Sequence, residues 1–484
     1  MTLNAIAPPF LGERVFLAQD QLSFAQASGD FNPMHVDAIA ARRLLSGQAV
    51  VHGIHTLLCA LQWWLAAHPT RPAGIACHFA NPVNVGDVVV FAHCRDAEGR
   101  LVITASVDGL VCTEVVIDSA RTEPATVGGA QNAAAGPPVR HLAAASAALD
   151  EPPGQQVGQV MALAAAPNGL AGLFPDVARV LGDDRLSAIA GLSFYVGMVC
   201  PGLHSVFSSL RFRLANDAVP AELLRFKVDK YDPRFRLFTV SFTGLLAGEL
   251  KAFRRPPPQT QPPSREVALR VGPVEFKGQR ALVIGGSRGL GEVSAKILAA
   301  GGAQVHITFA AGQDDAMAVA ADINGNARGP CQVHRLDLKA NAIDSLAIDT
   351  ATLDAVYYFA TPRIYSKRTG LFDQAVFDVF ADFYLRRFYQ LCQDLNRSNR
   401  QQKLKIYLPS TVFITDRPKG MTEYAMVKAA AEIMADDLNR ILKNVVVIAT
   451  RLPRLATDQT SSIFKLEVES NLDALLPVIR QVQG

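Results

Sequence analysis

The chain has 484 residues, too many for one ordinary hydrophobic core, so roughly two to four domains are expected, each burying its own core. Hydrophobic residues make up 49% and charged residues 19%, which excludes a disordered chain and points to well-packed globular domains. The formal charge of +3 is close to balance and its Lys and Arg are scattered, which argues against nucleic acid as a partner.

Seven dispersed cysteines without a Cys-x-x-Cys pair read as reduced core thiols, and no metal site is expected. The opening "MTLNAIAPPFLGERVF" lacks a basic region ahead of an apolar core. No later stretch is long and uniformly apolar enough to span a bilayer, so a cytoplasmic protein with no membrane partner is expected.

In chain order, the first feature is "ASGDFNPMHVD" at 27–37, which sets Asp30, Asn32, His35 and Asp37 around Gly29 and Pro33. Taken singly, these residues describe an Asx-turn, a proline opening a helix and a hydrogen-bonded structural imidazole. Taken together, they supply a carboxylate and an imidazole suited to moving protons. "GIHTLLCALQWWLAAHP" then reads as a long apolar helix, with His55 as a core histidine or a pocket wall, and "RPAGIACHFANPVNVGDVVVFAHCRD" as strands around a Pro-bearing turn.

Residues 122–156 are rich in Ala, Gly and Pro and read as a linker. Beyond it, "RLSAIAGLSFYVGMV" and "CPGLHSVFSSLRFRLANDAVPAELLRFKVDK" repeat the helix-then-strands order. The expectation is an α+β arrangement, a helix wrapped by antiparallel sheet, used twice, over 1–121 and 157–253. "RRPPPQTQPPSR" opens a second, Pro-rich linker at 254–274.

From 275 to 484 short apolar runs alternate with helical sequence, as a doubly wound α/β (Rossmann) domain requires. Gly285, Gly289 and Gly291, with Ser287, Arg288 and Leu290 between them, form a glycine turn from the first strand into its helix, suited to a dinucleotide pyrophosphate. Thr308 and Phe309 stand where an NAD-selective site places an acid, and Arg288 could attract a 2′-phosphate, so NADP(H) is the expected cofactor. Asp337 could accept a hydrogen bond from the adenine amino group or cap its strand. Tyr424 and Lys428 share a helix face, where an ammonium could lower the phenol pKa and leave Tyr424 able to pass a proton to a carbonyl.

Two resemblances follow from these residues. "SGDFNPMHVD", "VVHGIHTLL" and "HFANPVNVGD" resemble the signature of the MaoC-like, (R)-specific enoyl-CoA hydratases, over residues 10 to about 120. That resemblance implies a hot-dog fold in which Asp30 and His35 hold a water, Asn32 orients the loop and water, and the Gly53 amide polarises a thioester carbonyl. The second copy lacks the motif, as the inactive half of double hot-dog relatives does.

Residues 275 to about 470 resemble the short-chain dehydrogenase/reductase family. The resemblance implies that Thr411, thirteen residues before Tyr424, or its neighbour Ser410 polarises the substrate carbonyl. Ile284, "YYFA" at 357–360 and Tyr384 depart from that family's pattern.

Together these imply a bifunctional enzyme acting on acyl-CoA or acyl-carrier-protein thioesters: a 2-enoyl hydratase/3-hydroxyacyl dehydratase joined to an NADPH-dependent 3-oxoacyl reductase. A homo-oligomer, a dimer, is the expected assembly. The alternatives are a dehydratase with a dinucleotide-binding domain that does not turn over, and a non-catalytic acyl-thioester binder.

Overall fold

The computed structural model describes residues 9–118, 139–142, 147–164, 169–214, 223–364, 371–398, 400–460 and 469–483. The chain divides into two compact units, the first running to Pro257 and the second starting at Pro258.

In the first unit, inward apolar residues alternate with outward polar ones over the stretch 224–229, the period of a half-buried sheet. Leu224, Phe226 and Val228 are buried while Arg225, Lys227 and Asp229 between them are not. The strands are β1 (Phe10–Val15), β2 (Gly74–Phe79), β3 (Val88–Arg95), β4 (Leu101–Val107), β5 (Leu110–Asp118), β6 (Val139–Leu142), β7 (Val160–Leu163), β8 (Ser205–Leu214), β9 (Leu224–Asp232), β10 (Leu237–Gly244) and β11 (Leu246–Arg254). The β4–β5 hairpin turns on Asp108 and Gly109 at φ 49° and 75°, the two positive values of a type I′ turn.

These strands form one sheet in the order β1-β3-β4-β5-β2-β8-β11-β10-β9-β7-β6. Outward from the β2–β8 junction, both halves follow the same rule: 2-5-4-3-1 on one side and 8-11-10-9-7 on the other. Each half also holds one central helix. In Gly53–Ala67, Ile54, Leu57, Leu58 and Leu61 are fully buried at helical spacing. In Asp183–Phe194, Leu186, Ile189 and Ala190 are buried likewise, and the helix continues as a π-helical turn, Tyr195–Val199. Both helices share one core with the sheet.

Within the segment read as a linker, Val139–Leu142 forms β6, paired in parallel with β7, and Pro153–Gln156 forms a helical turn. Residues 119–138 and 143–146 lie outside the described ones.

The second unit has six parallel strands: β12 (Arg280–Ile284), β13 (Gln304–Phe309), β14 (Cys331–Arg335), β15 (Ala355–Tyr358), β16 (Leu404–Thr411) and β17 (Val445–Leu452). Their order is β14-β13-β12-β15-β16-β17. Near-continuous apolar runs make sense here because both faces are covered: Ala281 and Val283 enter one core, Leu282 and Ile284 the other. The order reverses between β12 and β15, and the carboxyl ends of strands at such a reversal are where open α/β sheets bind ligands.

Among the described residues no helix is long and apolar enough to cross a membrane. All seven cysteines are free thiols, and only Cys94 is exposed.

Candidate active sites

In the first unit the helix Ala18–Ser28 ends at Gly29, whose φ of 80° reverses the chain into the Asp30–His35 loop. Asn32 caps the short helix Pro33–Val36 by accepting from the Met34 amide at 3.2 Å. The Asn32 amide nitrogen donates to the carbonyls of Gly197 and Gly202 at 2.7 and 3.2 Å, with Leu203 O 3.4 Å away. Fully buried and with its donors committed, Asn32 shapes the loop and has none left for a water. Asp37 is an exposed helix cap bonded to the Ile39 and Ala40 amides.

Asp30 is 2% exposed. Its Oδ1 accepts from the Asn32 amide at 3.2 Å and its Oδ2 from the Ser193 hydroxyl at 2.7 Å. Burial pushes its carboxyl up, opposed by His35, Ser193 and the Asn32 amide. His35 Nδ1 lies 2.6 Å from the Val50 carbonyl. A carbonyl can only accept, so Nδ1 carries the hydrogen and Nε2 the lone pair of the neutral ring. Burial pushes His35 down, against the pull of Asp30, which favours that neutral base.

His52 stacks on His35 with ring centroids 3.8 Å apart. Ligating atoms of Asp30, His35 and His52 all lie within 4.8 Å of one another, a spacing a metal ion could use. The hydrogen bonding does not fit one: His52 has Gln21 Oε1 at 2.9 Å from Nδ1 and the Asp30 carbonyl at 3.0 Å from Nε2. Only the Asp30 carboxylate and His35 Nε2 remain, fewer ligands than such a site needs.

Gly53 is half-buried at the first turn of its helix, where an amide has no intrahelical partner. A Cβ there would come within 2.9 Å of the Phe79 ring, so glycine is what the packing admits. His55 is a core histidine, stacked on Phe24 at 4.7 Å and pushed down by burial to about 3.

Sequence reasoning missed Ser193, Gly197 and Gln21. Ser193 and Gly197 lie in the helix Asp183–Phe194 and the turn that follows it, more than 160 residues from the motif, and are residue types that carry no signal alone. A Cβ on Gly197 would fall 2.2 Å from Asp30 Oδ1.

In the second unit, Gly285 sits at φ 82° against the Phe359–Ala360 backbone, and Gly289 opens the helix Gly289–Ala300 at φ 59°. At Gly291 a Cβ would lie 2.2 Å from the Gly285 carbonyl, so this glycine lets the helix meet the strand. Ser287 is buried and Leu290 half-buried in the same turn. Thr308 braces the turn from below, its Oγ1 accepting from the Gly285 amide at 3.1 Å. Arg288 is engaged: its Nη1 lies 3.3 Å from Asp458 Oδ2, so a 2′-phosphate would have to compete with that carboxylate. Asp337 accepts from the Lys339 amide at 2.9 Å, the turn role, with its other oxygen unused by that bond.

Tyr424 and Lys428 share one face of the helix Thr422–Ile441, as the spacing requires. Lys428 Nζ donates to the Pro409 carbonyl at 2.7 Å and lies 3.6 Å from the centre of the Tyr384 ring, against 5.7 Å from that of Tyr424. Burial pushes the Lys428 ammonium down to about 7 and the Tyr424 phenol up. Tyr384, in a π-helical turn Asp382–Arg387, hydrogen-bonds Thr361.

Of the two candidate hydroxyls, Ser410 is held by Glu432, which also pairs with Arg451. Thr411 accepts from the Phe413 amide and keeps its hydrogen to donate. The "YYFA" tyrosines are core anchors: Tyr357 accepts from Gln483 and Tyr358 donates to the Phe383 carbonyl.

Three solved structures are among those to which part of this chain is similar. The short chain dehydrogenase from Salmonella enterica subsp. enterica serovar Typhi str. CT18 shares 20% identity over 44% of this chain and 93% of its own, TM-score 0.39. A putative short chain dehydrogenase from Escherichia coli CFT073 shares 20% over 44% and 92%, TM-score 0.36. A 3-oxoacyl (acyl-carrier-protein) reductase from Agrobacterium tumefaciens C58, solved with NADP bound, shares 20% over 38% and 74%, TM-score 0.34. No curated protein matches the chain. Residues 8–105, which contain Asp30, His35, His52 and Gly53, match the family described as MaoC like domain. The N-terminal part of this chain therefore carries a MaoC-like domain.

Proposed function

We propose that the first unit is a double hot dog that hydrates 2-enoyl thioesters and dehydrates 3-hydroxyacyl thioesters, and that the second binds NADP(H) and reduces 3-oxoacyl thioesters. The observation that carries the first half is the buried His35 base with its Nδ1 hydrogen assigned, within 4.8 Å of the Asp30 carboxylate. The repeated strand order supports the double fold.

His35 Nε2 and an Asp30 oxygen grip the two hydrogens of one water. As the water oxygen bonds to the β-carbon, His35 takes one proton and the double-bond electrons move toward the thioester oxygen. The Gly53 amide meets the charge developing there. The imidazolium then returns a proton to the α-carbon, so one water is added and His35 is restored. Dehydration runs the same path backwards.

For the second unit, Gly285, Gly289 and Gly291 would receive the pyrophosphate at the helix start, and the nicotinamide group would supply the hydride. Thr411 would donate to the substrate carbonyl and Tyr424 would deliver the proton. The Lys428–Tyr384 contact favours a second reading, a unit that binds the dinucleotide without efficient turnover.

Hydration of crotonyl-CoA, followed at the thioester absorbance, tests the first half. Asp30→Asn is expected to lose on the order of a hundredfold or more in rate. Wild-type protein inert toward every enoyl thioester, on coenzyme A and on carrier protein, would sink the hydratase reading. NADPH oxidation with acetoacetyl-CoA separates the two readings of the second unit: binding without oxidation selects the non-catalytic one.

A further inference from the structure

We propose that His52 is held as an imidazolium beneath the Asp30–His35 pair, a fixed buried charge that keeps Asp30 ionised and His35 neutral. The functional part of this inference rests on the hydratase reading above; the charge state does not.

Donor counting carries it. Gln21 Oε1 accepts the His52 backbone N–H at 3.1 Å, which fixes that atom as the amide oxygen. The same oxygen lies 2.9 Å from His52 Nδ1, so Nδ1 must also donate. On the other side Nε2 lies 3.0 Å from the Asp30 main-chain carbonyl, again an acceptor only. A neutral ring has one N–H, and either tautomer would aim a nitrogen lone pair at an oxygen lone pair in a fully buried place. Two N–H groups satisfy both contacts, and the Asp30 Oδ2 atom 3.9 Å from Nε2 supplies the countercharge.

Every group facing His52 bears on this assignment. Asp30 favours the cation; His35, stacked at 3.8 Å, and His55, on the same helix, disfavour it, as does burial, which pushes the ring down. Phe24 covers a further side with its ring centre 4.9 Å away, and Gln21 offers only its oxygen. Arg255 acts on His35, and Arg14 on His55. Both imidazoles are neutral in this arrangement, so the two acceptor oxygens and the carboxylate outweigh desolvation. The consequence reaches the chemistry: a cation stacked on His35 disfavours a second one there, and the same cation offsets the burial that would protonate Asp30. His52 is thus a positioning residue, acting through Asp30 and His35.

The test is side-chain nitrogen NMR of the full-length protein labelled with 15N-histidine, with His52 assigned by the signals missing in His52→Gln. Both ring nitrogens of His52 are expected to be protonated from pH 6 to 8; a lone-pair nitrogen on that ring at pH 7 overturns the proposal. A second variant guards against misfolding of the first. Gln21→Leu removes the Nδ1 acceptor and is expected to move the acid limb of kcat/KM for hydration up by about one pH unit, a tenfold loss on that limb. A Gln21→Leu profile lowered equally at all pH values would show a merely structural role and overturn the positioning claim. Absence of any hydration would overturn the hydratase reading, while the NMR result would still decide the charge state.

Discussion

Asp30 is the residue on which the first site turns, because His35, Ser193 and the Asn32 amide set the energy of its charged form. Ser193 donates to Oδ2 and the Asn32 amide to Oδ1, both stabilising the carboxylate against burial. Ser193→Ala removes one of these bonds without touching a substrate. Losing a hydrogen bond to the charged form raises the Asp30 pKa. The carboxylate then protonates at higher pH, so the acid limb of hydration activity is expected to move upward while the rate on the plateau changes little. A pH–rate profile of the variant beside wild type checks this; an unmoved limb would mean that Asp30 does not need to be ionised. His35 works in the opposite sense. Its pKa is depressed on folding, so its base form persists below the ordinary histidine value of 6.5, and its activity is lost only as pH falls further.

The central helices hold these residues in place, and their small residues matter as much as their large ones. Gly197 lies in the π-helical turn after the second central helix, where its carbonyl takes a hydrogen bond from Asn32 and its missing side chain leaves room for Asp30. Gly197→Ala is expected to displace Asp30, already fixed by Ser193 and Asn32, and to cut hydration by at least about tenfold. Gly154→Ala, which meets nothing within 4 Å, is the matched control. The first central helix makes a separate prediction through His55. Its folded pKa is about 3 against 6.5, so as pH falls the unfolded chain binds a proton before the folded one does. Stability is lost as pH drops below 6.5, by about 2 kcal/mol at pH 5 for this one group. Urea unfolding of His55→Phe at pH 7 and pH 5 is expected to show that much less acid sensitivity than wild type. The apolar periods that form these helices were legible in the sequence, as were Asp30 and His35, because those two lie within one short stretch. Ser193 and Gly197 were not: an ordinary serine and glycine gain meaning only when the second helix crosses the loop.

The two units differ in how far their chemistry could be read from residue types. In the first, the structure brings the Asp30 carboxylate and the His35 ring within 4.8 Å of each other. In the second, the glycine turn lies where its spacing placed it, and Tyr424 and Lys428 share a face, but the ammonium lies nearer the centre of the Tyr384 ring and burial raises the phenol. Which aromatic ring a lysine lies beside is a packing outcome that spacing does not encode. The proposed reactions nonetheless meet at one compound, the 3-hydroxyacyl thioester, and that makes them separable by mutation. Gly291→Ala would press a Cβ against the Gly285 carbonyl and close the proposed pyrophosphate site, while Asp30 and His35 lie in the other unit. With crotonyl-CoA and NADP⁺, wild type is expected to form NADPH after a hydration phase, and Gly291→Ala to hydrate without forming it. Asp30→Asn should form no NADPH from crotonyl-CoA yet regain it when given (R)-3-hydroxybutyryl-CoA. NADPH absorbance followed with both substrates distinguishes these patterns. If wild type binds NADP⁺ but forms no NADPH even from the hydroxyacyl thioester, the second unit is a binding module, and Tyr384→Asn, which frees Lys428, becomes the variant expected to restore turnover.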